Sequence, residues 1–233
     1  MDRERLKDGV EDGVAATVEA AVSMIPIAGG PLAVVVNRAF GSAVERRLER
    51  DIAELREDLD AVVRAHDIPD PAARLSRDEF VAAMYTVVPA LQATSFSEKR
   101  KLLRNALING TVIGNWDDYR RESFLRQMAS YDPLHVQILK YAASLAEFKE
   151  TEMPETGVWR DLVSLIVDKL LQSREELRAV VQRAVNQLAT DGLLTQAQPQ
   201  TRGLQNLGEP SRPDSISPLG QDFLAFVADP LAP

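Results

Sequence analysis

Apolar residues recur at spacings of three and four along most of this chain, the pattern of helices that bury one face. Val10, Val14, Val18, Ala21, Val22 and Ile25 share one face of a segment from Arg5 to Ile25, which Pro26, Gly29, Gly30 and Pro31 then break. Pro31 suits a first helical position and predicts a second helix continuing through His66. The later part of that helix carries Leu48, Ile52, Leu55, Leu59, Val62 and His66 at alternating spacings of four and three. This is a heptad-like seam of about two and a half repeats, short of the three to four that argue for a coiled coil.

Further along, the prolines of "DIPDPAAR" at 67–74 predict a loop. Ser76 with Glu79, Ser95 with Glu98 and Ser173 with Glu176 each match a capping box and predict a helix start. Phe80, Ala83, Met84, Val87, Val88 and Leu91 share one face of the first of these helices, and Pro89 should kink or end it. Asp132-Pro133 reads as an N-cap and first-position proline before "LHVQILKYAASLAEF". The middle is therefore three or four packed helices.

A polar linker, "KETEMPETG", divides residues 1–150 from 151–233. Beyond it come a helix in "VWRDLVSLIVDKLLQ", a helix from Ser173 that Gly192 stops, and a short strand in "LLTQ". A Pro/Gly-rich tongue, a return in "SIS" and a final helix in "PLGQDFLAFVAD" complete the chain. The fold class is mainly α: an N-terminal helical hairpin and helix bundle at 1–150, then a smaller α+β subdomain at 151–233.

Composition narrows the chemistry. The 233 residues include no cysteine, which excludes disulfides and thiolate catalysis, and two histidines, His66 and His135, so zinc sites of the usual types are not expected. No cofactor or metal is expected. The net charge of -8 is concentrated in the two ends while the middle third is nearly neutral, a balance unlike that of a generic nucleic-acid binder. "MDRERLKDGVEDG" lacks the positive n-region of a secretory signal, so the expected location is cytoplasmic and the sequon at Asn109 incidental.

Three places are candidates for function. The stretch "AAVSMIPIAGGPLAVVV" at 20–36 has no charge, but about 18 to 20 uninterrupted apolar residues are needed to span a bilayer, and its Pro-Gly break divides it. It also lacks the lysine and glycine spacing of a phosphate loop. It reads as a helical hairpin whose Ile25, Ile27, Leu32 and Val35 pack internally or, once exposed by a conformational change, meet a membrane or another copy. In the middle third, Lys99, Arg100, Lys101 and Arg104 cluster near one helix start. Of these, Lys99, Arg100 and Arg104 are the candidate contacts for an acidic partner. His135 follows Asp132-Pro133, yet no nucleophile or second histidine accompanies it, and it reads as a structural residue at a helix start. No catalytic constellation is recognisable.

The third place is the C-terminal part. A helix, a second helix ending "LATDGLLT", a long tongue and "SISPLGQDFLAFV" together resemble a winged-helix domain over roughly Gly157 to Val227. The resemblance implies that the second helix is the contact element, which in DNA-binding members lies in the major groove. Its candidate contacts are Arg174, Arg178, Gln182, Arg183 and Asn186, offset by Glu175 and Glu176, and the wing adds only Arg202 and Arg212. Protein contact is favoured over DNA on this charge balance.

The chain as a whole is similar to a scattered group of bacterial helical proteins that share an "IPIAGGPL" hairpin, "EKRKLLRNAL" and "DPLHVQILKY" helices and a winged end. Some proteins of this kind are similar to abortive-infection or phage-defence accessory proteins, and the resemblance brings no catalytic residue with it. The function expected is a non-enzymatic interaction or sensing protein that associates with a protein partner or with itself. The alternatives are a DNA-binding regulator using the winged part and a membrane-active effector using residues 20–36.

Overall fold

The computed structural model describes residues 31–147, 162–195 and 215–232, with the side chains of the first helix described from residue 46. It is mainly helical. Helix α1 spans Pro31–Ala65, α2 Pro71–Leu75, α3 Asp78–Ala93, α4 Ser97–Ile108, α5 Asp118–Ser130 and α6 Pro133–Glu147. A π-helical turn, Asn109–Ile113, extends α4 directly. Then follow α7 at Leu162–Lys169, a 3-10 turn at Glu175–Leu177, α8 at Arg178–Thr190 and α9 at Pro218–Val227. Strand content among the described residues is one antiparallel pair, β1 Leu194–Thr195 with β2 Ser215–Ile216, in register Leu194 to Ile216. Two compact units divide the chain: Met1–Ser130 with Phe226–Pro233, and Tyr131–Ala225. No helix among the described residues is long and apolar enough to cross a membrane.

The first unit is built on the face anticipated for α3, whose Phe80, Ala83, Met84, Val87, Val88 and Leu91 are all buried. Pro89 sits inside this helix without ending it. Leu55, Leu59 and Val62 of α1 are fully buried, with α3 and α4 as the helices packed on α1, so this half of the heptad-like seam belongs to the core and offers no surface. The segment read as a loop contains α2, because Pro71 takes a first helical position and the Asp70 Oδ1 accepts a hydrogen bond from Ala73 N–H at 3.0 Å. The stretch 20–30, with Ile25 and Ile27, lies outside the described residues, as do the tongue and the whole polar linker. Leu32 and Val35 fall on α1 where only the backbone is described.

None of the three capping boxes forms. The Ser76 hydroxyl donates to Ala73 C=O, closing α2 instead of opening α3. α4 starts after Phe96, whose N–H is taken by Thr94 Oγ1. Ser173 adopts a left-handed conformation, φ 59°, and its hydroxyl faces Asp168. The hydroxyls of Ser76 and Ser173 each take another local partner, and at Ser95 the neighbouring Thr94 takes the capping role.

In the second unit, α8 buries Val181, Ala184, Val185 and Leu188. Gly192, at φ +76°, ends it as expected, with its N–H bonded to Ala189 C=O. In "SPLG", at 217–220, the serine and the glycine each have a structural cause. Ser217 caps α9 by accepting from Gly220 N–H at 2.9 Å and donates its own hydroxyl to Gly192 C=O at 2.6 Å. A Cβ on Gly220 would lie 2.2 Å from the Leu193 carbonyl oxygen, so only glycine lets α9 approach the end of α8 this closely.

Candidate interaction surface

α8 presents its polar side to solvent. Ala179, Val180, Gln182, Arg183, Asn186 and Thr190 are exposed, opposite the buried stripe. Of the residues the sequence singled out here, Arg174 lies just before the 3-10 turn with its Nε 3.1 Å from Glu176 Oε1. Arg178 starts the helix and is held in a fork by Glu175, Nε to Oε2 at 2.7 Å and Nη2 to Oε1 at 3.0 Å, while Nη1 donates to Ser164 Oγ. Gln182 donates to Asn186 Oδ1 at 2.9 Å, one turn on. Arg183 has no ion-pair partner among the described residues.

The arginines at the start of the element are therefore neutralised by the glutamates beside them. Its own backbone N–H and then Arg174 hold the Glu176 carboxyl below the usual carboxylate range, so this pair is ionised at neutral pH. Sequence reasoning missed Val180, which is 52% exposed at the position before the buried stripe begins. The signal was present: three apolar residues run together at 179–181, and only one of them can lie at the centre of a helical stripe.

The cations of α4 do meet acidic groups, and these belong to α1 of the same chain. Arg100 Nε lies 3.3 Å from the buried Asp51, and Arg104 reaches both Glu54, at 2.7 Å, and Asp58, at 2.6 Å. Lys99 is 8% exposed and donates to Ala129 C=O. Burial, opposed by Arg100, pushes the Asp51 carboxyl up from its ordinary value. The spacing of Asp51, Glu54 and Asp58 along one helix face against Arg100 and Arg104, one turn apart on another, zips α1 to α4. These three basic residues are thus structural ties and present no exposed basic patch.

His135 has its two ring nitrogens engaged. Asp132 N–H donates to Nδ1 at 3.1 Å, so the ring proton sits on Nε2, which faces Gln187 Oε1 at 3.2 Å. A third-position side chain reaching back to the N-cap N–H is the reciprocal half of a capping box, with imidazole in place of carboxylate. The ring stacks on Tyr131, centroids 4.7 Å apart, and the buried Tyr131 hydroxyl donates to Asp191 at 2.5 Å. Desolvation first, and the Asp191 hydrogen bond second, hold the Tyr131 phenol well above its ordinary value, so it stays protonated. The cluster joins the start of α6 to the end of α8 and is a structural tie. Asn109, the sequon residue, is likewise buried and hydrogen-bonded.

A shallow cleft of about 160 Å³ between α3 and α5 is lined by Glu79, Thr86, Arg121, Glu122, Leu125 and Arg126. Arg121 is paired with Asp118 at 2.7 Å, and the remaining charges are of both signs, so the cleft selects no single class of ligand. Among the described residues no group of three or more His, Asp or Glu is placed to hold a metal ion. Comparison with protein-family models, with characterised proteins and with solved structures finds no match to this chain.

Proposed function

We propose that this chain is a non-enzymatic protein-interaction protein that self-associates through the exposed side of α8, around Val180 and Arg183. The observation that carries this reading is the neutralisation of Arg174 and Arg178 by Glu176 and Glu175, next to an apolar side chain left in solvent. A surface of one apolar residue, one unpaired cation and an amide pair has the composition of a protein contact, and it lacks the cationic density that phosphate binding requires. The engagement of both His135 nitrogens, Nδ1 in helix capping and Nε2 with Gln187, supports a non-catalytic role for the residue that most resembles a catalytic one.

The order α7, α8, β1, β2, α9 supports a winged-helix-like reading of the second unit, with α8 as the contact helix. A sensing role in phage defence is part of this proposal and rests on the sequence resemblance alone. Light scattering over a range of protein concentrations tests the proposal. The wild-type chain should gain mass with concentration and Val180→Asp should not, whereas a wild-type chain that stays monomeric throughout defeats it.

A second reading has one observation in its favour. Gln182, Arg183 and Asn186 form an exposed polar row on the helix that a winged-helix DNA reader would use. A DNA-binding regulator of this kind would hold duplex DNA with an affinity that falls steeply as salt rises.

A further inference from the structure

The segment Phe226–Pro230 is held in the first unit by side chains more than a hundred residues away in sequence. The Phe226 ring meets Trp116 and Phe124 edge-on, each at a centroid distance of 5.3 Å. The slot has a glycine floor: a Cβ on Gly110 would lie 2.7 Å from Phe226 Cζ. Three successive carbonyls at the end of α9 are then taken by two buried amides. Asn109 Nδ2 donates to Phe226 C=O at 3.0 Å and to Ala228 C=O at 2.9 Å, and Asn105 Nδ2 donates to Val227 C=O at 3.2 Å. At the rim, His66 Nε2 donates to Pro230 C=O at 2.8 Å and Lys101 Nζ pairs with Asp229 at 2.8 Å.

The last carbonyls of a helix have no partner within it, and here the groove supplies them. The receiving groups sit on elements outside the segment they hold. Asn105 and Asn109 are one turn apart on the continuous run of α4 and the π turn, and Trp116 and Phe124 brace each other at 5.8 Å. We infer that His66, Lys101, Asn105, Asn109, Trp116 and Phe124, with Gly110 as floor, form a receptor groove for the C-terminal end of a helix. The chain's own Phe226–Pro230 fills it in cis, and the same segment of a second copy is its ligand in trans. Four of its five polar contacts read main-chain carbonyls, so specificity falls on the aromatic ring at 226 and the carboxylate at 229. This inference is independent of the α8 surface.

A fluorescent peptide spanning residues 218–233 tests it by anisotropy against full-length protein. In the wild-type chain the tethered cis segment competes, whereas Phe226→Ala weakens that competitor and leaves the groove intact. The variant should bind the peptide about tenfold or more tightly than wild type, in keeping with removal of a tethered competitor. A peptide carrying Ala in place of Phe226 should not bind. In a Trp159→Phe background, which leaves Trp116 as the one tryptophan, acrylamide quenching should rise in Phe226→Ala and fall again when peptide is added. Should Phe226→Ala fail to fold, Asp229→Asn, at the exposed rim, should show a smaller gain in the same direction. Equal binding by wild type and the folded variants, no binding by any of them, or equal binding of the Ala peptide overturns the inference.

Discussion

Arg178 and Glu175 form a bidentate pair one turn apart, with Nε and Nη2 of the guanidinium 2.7 and 3.0 Å from the two carboxylate oxygens. Together with Arg174 and Glu176 it turns the start of α8 from a cationic end into a neutral one. Cations at a helix N-terminus are unfavourable with the helix dipole, so glutamates there also satisfy the helix.

The first prediction removes those glutamates. Wild-type protein should bind duplex DNA negligibly at low salt, and the double variant Glu175→Gln, Glu176→Gln should bind about tenfold more tightly, about 1.4 kcal/mol, with a steeper salt dependence. Fluorescence anisotropy across a salt series measures both. Tight, steeply salt-dependent binding by the wild type would instead favour the DNA-binding reading.

Tyr131 makes stability depend on alkaline pH. Its folded pKa is raised above the ordinary 10.0, so above pH 10 the unfolded chain loses a proton that the folded chain keeps. The contribution of Tyr131 to stability is therefore flat below that pH and falls by up to about 1.4 kcal/mol per pH unit above it. Burial raises Tyr141 in the same direction, so Tyr131→Phe should reduce the alkaline slope and leave the share of Tyr141. Urea unfolding between pH 8 and 11 reads the effect, expressed through the linkage slope.

Much of the fold was legible because it is written in local patterns. The buried face of α3 is the six-residue set read from spacing, Pro31 and Pro133 start their helices, and Gly192 stops α8. What escaped has tertiary causes. α5 has only Phe124, Leu125 and Met128 in its core face, too few to stand out in a polar stretch. The partners of Arg100 and Arg104 lie about fifty residues earlier, and no spacing rule joins a basic cluster to Asp51, Glu54 and Asp58. On the candidate surface, Arg174 through Asn186 were readable as a group, while the ring of glutamate pairs was readable only as an offset in charge. Val180 stood out once the burial of its neighbours was known.

Gly220→Ala should be among the more damaging small substitutions, since the added carbon meets a backbone oxygen that cannot rotate away. A loss of about 3 kcal/mol is expected, at the upper end for overpacking. Ala at the neighbouring exposed Gln221 should cost less than about 0.5 kcal/mol. Thermal or urea unfolding of the two variants gives the comparison.

The amide clamp on α9 predicts a similar contrast. Asn109→Ala strands two helix-end carbonyls in or near the core and should cost about 2 to 3 kcal/mol. Lys101→Met removes an ion pair whose partners are 58% and 40% exposed and should cost less than about 1 kcal/mol. Equal costs in urea unfolding would contradict the assignment of the amides as the stronger tie.

The claim that α8 is the contact surface is tested most directly by amide hydrogen exchange measured at low and at high protein concentration. Self-association through α8 predicts slower exchange at high concentration in peptides covering 178–190, with no such slowing in Val180→Asp. Unchanged exchange in α8 across the concentration range, or slowing that persists in Val180→Asp, would contradict it.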